Sequence, residues 1–117
     1  MPRKKTPRWV ESEPPCGLFK PAGRPARGQK PVVLELDGYE ALRLADHEGL
    51  MQEEVAERLG VSRPTVTRIL EKARKAVARA LVEGRPLAIE GGRVQFRGRG
   101  RGRRRRRGRG GPPGRPT

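Results

Sequence analysis

The sequence predicts an all-α fold: a small domain of three to four helices built on a helix-turn-helix, with room for a minimal two-stranded element and with irregular basic tails. Three observations predict it. Residues 52–71, QEEVAERLGVSRPTVTRILE, set apolar side chains at Val55, Leu59, Val61, Val66 and Ile69, with small Ala56 and a glycine at Gly60. The hydrophobic fraction is 32% and the aromatic fraction 3%, too little for one large core in 117 residues, so the core must be small and aliphatic. Charge is also partitioned. Residues 32–92 carry nine Lys/Arg against eleven acids, net −2, while residues 1–31 are +6 and residues 93–117 are +11. A nearly neutral middle between two cationic flanks reads as a domain, 32–92, between a basic arm, 1–31, and a basic tail, 93–117.

Seven prolines and scattered Lys/Arg make residues 1–31 an irregular, mostly extended arm. Its apolar pairs, Trp9-Val10 and Leu18-Phe19, either pin the arm to the domain or stand in solvent. Val32 to Leu36 is a short apolar run that suits an extended segment. Asp37, with Glu40 three residues on, has capping-box spacing and predicts a helix over about 38–46. Asp46-His47-Glu48-Gly49 is the turn out of it.

Gln52 to Leu59 is the second helix, with Glu53 and Glu54 in the first turn, where the helix dipole favours acids. Ala56 lets the next helix approach, and Gly60 can take the positive φ that stops a helix sharply. Val61 tucks the turn into the core, Ser62 caps the third helix, and Pro64 falls where a missing N–H costs little. From Arg63 to about Val82 the chain holds no glycine, and Val66, Ile69, Leu70, Ala73, Val77, Ala80 and Leu81 keep a helical period. That helix is either continuous or broken near Lys72–Lys75, and Gly84 is its stop. Leu87-Ala88-Ile89 can pair with Val32–Leu36. The tail from Arg93 is low-complexity Arg/Gly sequence without apolar periodicity, and disorder is expected there.

In such a motif the second helix lies in the DNA major groove and presents its outward residues near its N-terminus. With Val66, Ile69 and Leu70 facing inward, Arg63 and Arg68 are the candidates for base contact, because a guanidinium fork matches guanine O6 and N7. Thr67 suits a thymine methyl. Ser62, Thr65 and Lys72 suit phosphate, as does Gln52 at the start of the preceding helix. Arg103, Arg104, Arg105, Arg106 and Arg107 form the densest cationic run and suit phosphate without base selectivity. An enzyme is not expected. His47 is the only histidine and sits in a polar turn, Cys16 is the only cysteine, and neither nucleophile–base nor metal-ligand spacing is present. No metal or cofactor is implied, and no apolar run reaches the length of a membrane span. The basic start, MPRKKTPRW, lacks the apolar stretch of a secretory signal.

The segment from Leu34 to Gly84, with Phe19-Lys20-Pro21-Ala22-Gly23 and Ile89-Glu90-Gly91-Gly92 around it, closely resembles a family of small prokaryotic proteins known as domain of unknown function 134. The runs A-L-R-L-A-D, V-E-G and I-E-G-G are specific beyond a generic helix-turn-helix. The resemblance covers about residues 8–92. It implies a predicted DNA-binding protein, similar in its helix-turn-helix to region 4 of bacterial sigma factors, in a prokaryotic cytoplasm. Some relatives carry an added domain resembling nitrogenase-cofactor-binding proteins, for which this chain has no room. The Arg/Gly tail departs from the family pattern.

The leading expectation is a sequence-specific transcriptional regulator on double-stranded DNA, associated with the nucleoid and either monomeric or homodimeric. The alternatives are an RNA- or ribosome-associated protein using the tail, and a module that docks RNA polymerase.

Overall fold

Five short apolar runs become strands in the computed structural model, which describes residues 7–23 and 28–97. They are β1 (Arg8–Val10), β2 (Leu18–Phe19), β3 (Val32–Leu34), β4 (Leu87–Ile89) and β5 (Val94–Phe96). Between β3 and β4 lie α1 (Leu36–Leu42), a π-helical turn (Arg43–His47), α2 (Gln52–Leu59) and α3 (Arg63–Glu83). β1 and β5 pair in parallel, with Arg8 opposite Val94. β4 is the middle of a second sheet, parallel to β3 and antiparallel to β2. The fold is therefore α+β, and the all-α expectation is corrected. The anticipated pairing of 32–36 with 87–89 is present, as part of a three-stranded sheet rather than alone. Two- and three-residue strands are too short for alternation to announce them, and their partners are distant in sequence.

Parallel strands need a long crossover. Here the whole helical segment is that crossover. Val32 N–H donates to Pro86 O at 2.8 Å, Glu90 N–H to Leu34 O at 3.1 Å and Leu36 N–H to Gly91 O at 3.1 Å. The start of α1 and the end of α3 are thus tied to one sheet.

This tie also moves the first helix. α1 starts at Leu36, its N-cap is Glu35, and no side chain caps it. The expected Asp37/Glu40 capping box does not form. Asp37 is buried inside the first turn, with the Arg8 guanidinium 3.7 Å away. Glu40, only 3% exposed, accepts two bonds from Arg43 at 2.9 Å and one from Glu11 N–H at 3.1 Å. Arg43 also reaches Glu48 across the π-helical turn, and Leu44 from that turn is fully buried.

The main core joins Ala41, Leu44, Val55, Ala56, Leu59, Val66 and Leu70, against which half-buried Val61 and Ile69 pack. A second cluster of Leu34, Ala73 and Ile89 joins the sheet to the middle of α3. α3 runs unbroken for 21 residues and ends at Gly84, which has φ 65°. Its last turns leave the core: Leu81 is 78% exposed, against the inward position its periodicity suggested.

Candidate nucleic-acid interface

The turn between α2 and α3 is built from the residues that marked it. Val55, Leu59 and Val66 are fully buried and Ala56 nearly so. Gly60 takes φ 76°, ψ 36° and donates its N–H to Ala56 O at 2.8 Å, closing α2 in the left-handed conformation. Ser62 caps α3, accepting from Thr65 N–H at 3.4 Å, and the two hydroxyls share a 2.8 Å hydrogen bond. Pro64 lies in the first turn of α3. Two helices are thereby held at a fixed relation with the first turns of α3 outward.

The seven expected contact residues divide between two faces of α3. Arg63 and Thr67 share a shallow depression with Gln52 and Pro64. Thr67 Oγ1 donates to Gln52 Oε1 at 3.1 Å, which leaves the Gln52 NH₂ as the group that can donate outward. Thr65, Arg68 and Lys72 instead line a groove of about 360 Å³, whose other wall includes Arg8, Glu35 and Asp37. Arg63, Thr67, Arg68 and Lys72 are exposed, while Gln52 and Thr65 are half-buried. The Ser62 and Thr65 hydroxyls are engaged with each other, so their first role is to cap the helix. Lys72 forms a 3.6 Å ion pair with Glu35, although its side chain is 77% exposed. Such a pair is worth little and yields readily to a competing anion.

Three further features escaped the sequence. Arg8, read only as part of a basic arm, lines the same groove as Arg68 and Lys72. The side-chain alternation of Arg8-Trp9-Val10 was its faint signal. Trp9 lies against the helix-turn-helix turn: a Cβ at Gly60 would come within 3.1 Å of its ring. Arg97 stacks over that ring at 4.8 Å and donates from Nη2 to Arg58 O at 2.9 Å. Both flanks therefore attach beside the turn. Arg74 is held away from the outward face by two bonds to Asp46, at 3.0 and 2.8 Å. The Arg74 guanidinium holds the Asp46 carboxyl below its ordinary range. Arg103, Arg104, Arg105, Arg106 and Arg107 lie outside the described residues.

A family model described as "Protein of unknown function DUF134" matches residues 1–97. The chain belongs to the DUF134 family. The DUF134 match takes in both β1 and β5 and ends where β5 ends, leaving the rest of the Arg/Gly tail outside it. Curated relatives are named UPF0251 proteins. One from Syntrophobacter fumaroxidans is 55% identical over 92 residues, covering 79% of this chain and 59% of the relative. One from Desulforudis audaxviator is 51% identical over 96 residues, covering 82% and 63%. One from Caldanaerobacter subterraneus is 47% identical over 98 residues, covering 84% and 83%. The chain thus spans about three fifths of the length of the first two of these DUF134 relatives. No solved structure matches the chain. Among the described residues, no helix is long and apolar enough to cross a membrane.

Proposed function

We propose that this protein is a sequence-specific double-stranded DNA-binding protein, a transcriptional regulator of the prokaryotic cytoplasm resembling region 4 of sigma factors. It reads the major groove with the first three turns of α3, and its basic flanks bind phosphate. The observation that carries this reading is the outward row of Arg63, Thr67 and Arg68 on α3, presented beside Gln52 by a rigid Gly60 turn. Arg63 and Arg68 have the reach and geometry for guanine edges, Thr67 for a thymine methyl. Gln52, Lys72 and Arg8 are placed to take phosphates on either side of that row. Because residues 32–92 carry net −2, overall attraction to DNA comes from the flanks, and phosphate contacts add affinity without selecting a sequence.

The test is an unbiased binding-site selection on the full chain and on the Arg63→Ala/Arg68→Ala double variant. The expected outcome is a discrete preferred sequence for the native chain. The variant should lose it at one or two positions, with a cost of about 1–3 kcal/mol for each bidentate contact removed. Enrichment of no sequence, or tighter binding to structured RNA that the double variant leaves unchanged, would overturn the reading and favour RNA binding through the tail.

A further inference from the structure

At the end of α3 opposite the reading residues, the chain exposes apolar surface that its own fold does not cover. Leu81 is 78% exposed, Val82 84% and Phe19, on the adjoining strand β2, 53%. Beside Leu81 runs a groove of about 330 Å³ lined by Phe19, Pro21, Val77, Ala80 and Leu87. We propose that this face binds a second copy of the same chain, forming a two-fold dimer in which the last turns of the two α3 helices pack antiparallel.

Three observations select a second copy as the occupant. The face is self-complementary in shape, because one patch carries both a protruding leucine and an apolar groove beside it. A two-fold contact, in which each patch meets its own copy, needs that combination. It is self-complementary in size, because an antiparallel crossing near residue 81 sets small, exposed Ala78 of one copy against Val82 of the other. It is self-complementary in charge, because the same crossing brings Arg79 opposite Glu83 of the second copy, and the reverse. Within one copy these two side chains already form a 3.7 Å pair, so the dimer gains an alternating four-charge cluster at its rim. The exposed apolar residues amount to roughly 400 Å², the size at which a patch on a monomer is often functional. That is about half of the roughly 800 Å² per partner in a standard interface, as expected of an apolar core with a polar rim.

A consequence follows for DNA, and it rests on the reading proposed above. Arg68 lies thirteen residues before Leu81, about 20 Å along the helix. A two-fold at Leu81 therefore sets two reading segments up to about 40 Å apart, enough to span half-sites one turn, about 34 Å, apart.

Sedimentation equilibrium of the full chain, without nucleic acid, tests the dimer independently of DNA binding. The expected result is twice the chain mass at tens of micromolar. Leu81→Asp should weaken association by about thirty-fold or more, as loss of a central contact does. Helix content by circular dichroism should stay native, since the position is exposed. Arg79→Glu should weaken the dimer, and Arg79→Glu/Glu83→Arg should restore it, a rescue that an effect on folding alone would not produce. A Leu81→Cys variant with Cys16→Ser should form an intermolecular disulfide on mild oxidation. A native chain that stays monomeric at hundreds of micromolar, or a dimer that Leu81→Asp leaves intact, overturns the proposal. Either result leaves the DNA reading standing, because the binding-site selection judges that one separately.

Discussion

Gly60 answers two demands at once. Its φ of 76° closes α2, and its missing Cβ leaves room for the Trp9 ring. An alanine there enters the left-handed region at about 1–2 kcal/mol and also presses on an aromatic ring held by Arg97. Gly60→Ala should therefore destabilise the chain by about 2 kcal/mol in denaturant unfolding. Trp9→Ala/Gly60→Ala should show part of that cost relieved relative to the sum of the single changes. Strictly additive costs would mean that Trp9 does not press on the turn. The helix-ending role of Gly60 was legible from its place between Leu59 and Val61. The Trp9 contact was not, because it joins residues about fifty positions apart through a strand that only the folded chain forms.

Element positions depend on a few ties between them. Arg74 of α3 reaches back to Asp46 at the end of the π-helical turn, fixing the angle between the first helix and the long one. The folded-state Asp46 pKa is depressed below its ordinary value of 3.8, through the hydrogen bond from Arg74. The charged pair thus contributes stability at neutral pH, above the unfolded-state pKa. That contribution is lost as pH falls through the lower folded-state value. Both side chains are about half exposed, so the contribution is small, about 0.5 kcal/mol and within the range of solvent-screened pairs. The native chain should exceed Asp46→Asn in stability by about that much at pH 7, and the gap should close as acid unfolding is followed below pH 3.8. A gap that widens in acid would contradict this assignment. The two helices of the motif were legible because caps, stop and apolar period are all local. The start of α1 was misread because its position is set by the sheet, not by a cap. Asp37 and Glu40, which had capping spacing, are turned inward onto Arg8 and Arg43 instead.

At the scale of the whole molecule, the cationic flanks belong partly to the fold. β1 comes from the basic arm and β5 from the start of the basic tail, and they pair with each other beside α2. A truncation that tests the tail should therefore keep Arg97, because removing residues 93–97 also removes β5 and the support of Trp9. Nine arginines follow Arg97. If about eight phosphates are neutralised by them, deleting residues 98–117 should lower the slope of log affinity against log salt by about 7. The preferred DNA sequence should be unchanged, since phosphate contacts do not select bases. A shifted preference in a repeated selection would show that the tail itself reads sequence.

The sequence by itself determined the helix-turn-helix, its turn at Gly60 and the outward row on α3. Each of these is encoded within four or five residues, where backbone preference and helical period act directly. It also determined the partition of charge, which is additive and needs no fold. Only the tertiary structure decided that the domain is α+β, that the helical segment is a crossover between β3 and β4, and that the two flanks meet beside the turn. It alone also decided that Leu81 and Val82 face outward. A strand of two or three residues has no stability of its own and exists only when a distant partner satisfies its backbone groups. Likewise, the apolar period of α3 says which residues share a face, but the length of the neighbouring elements decides how far along the helix that face is covered.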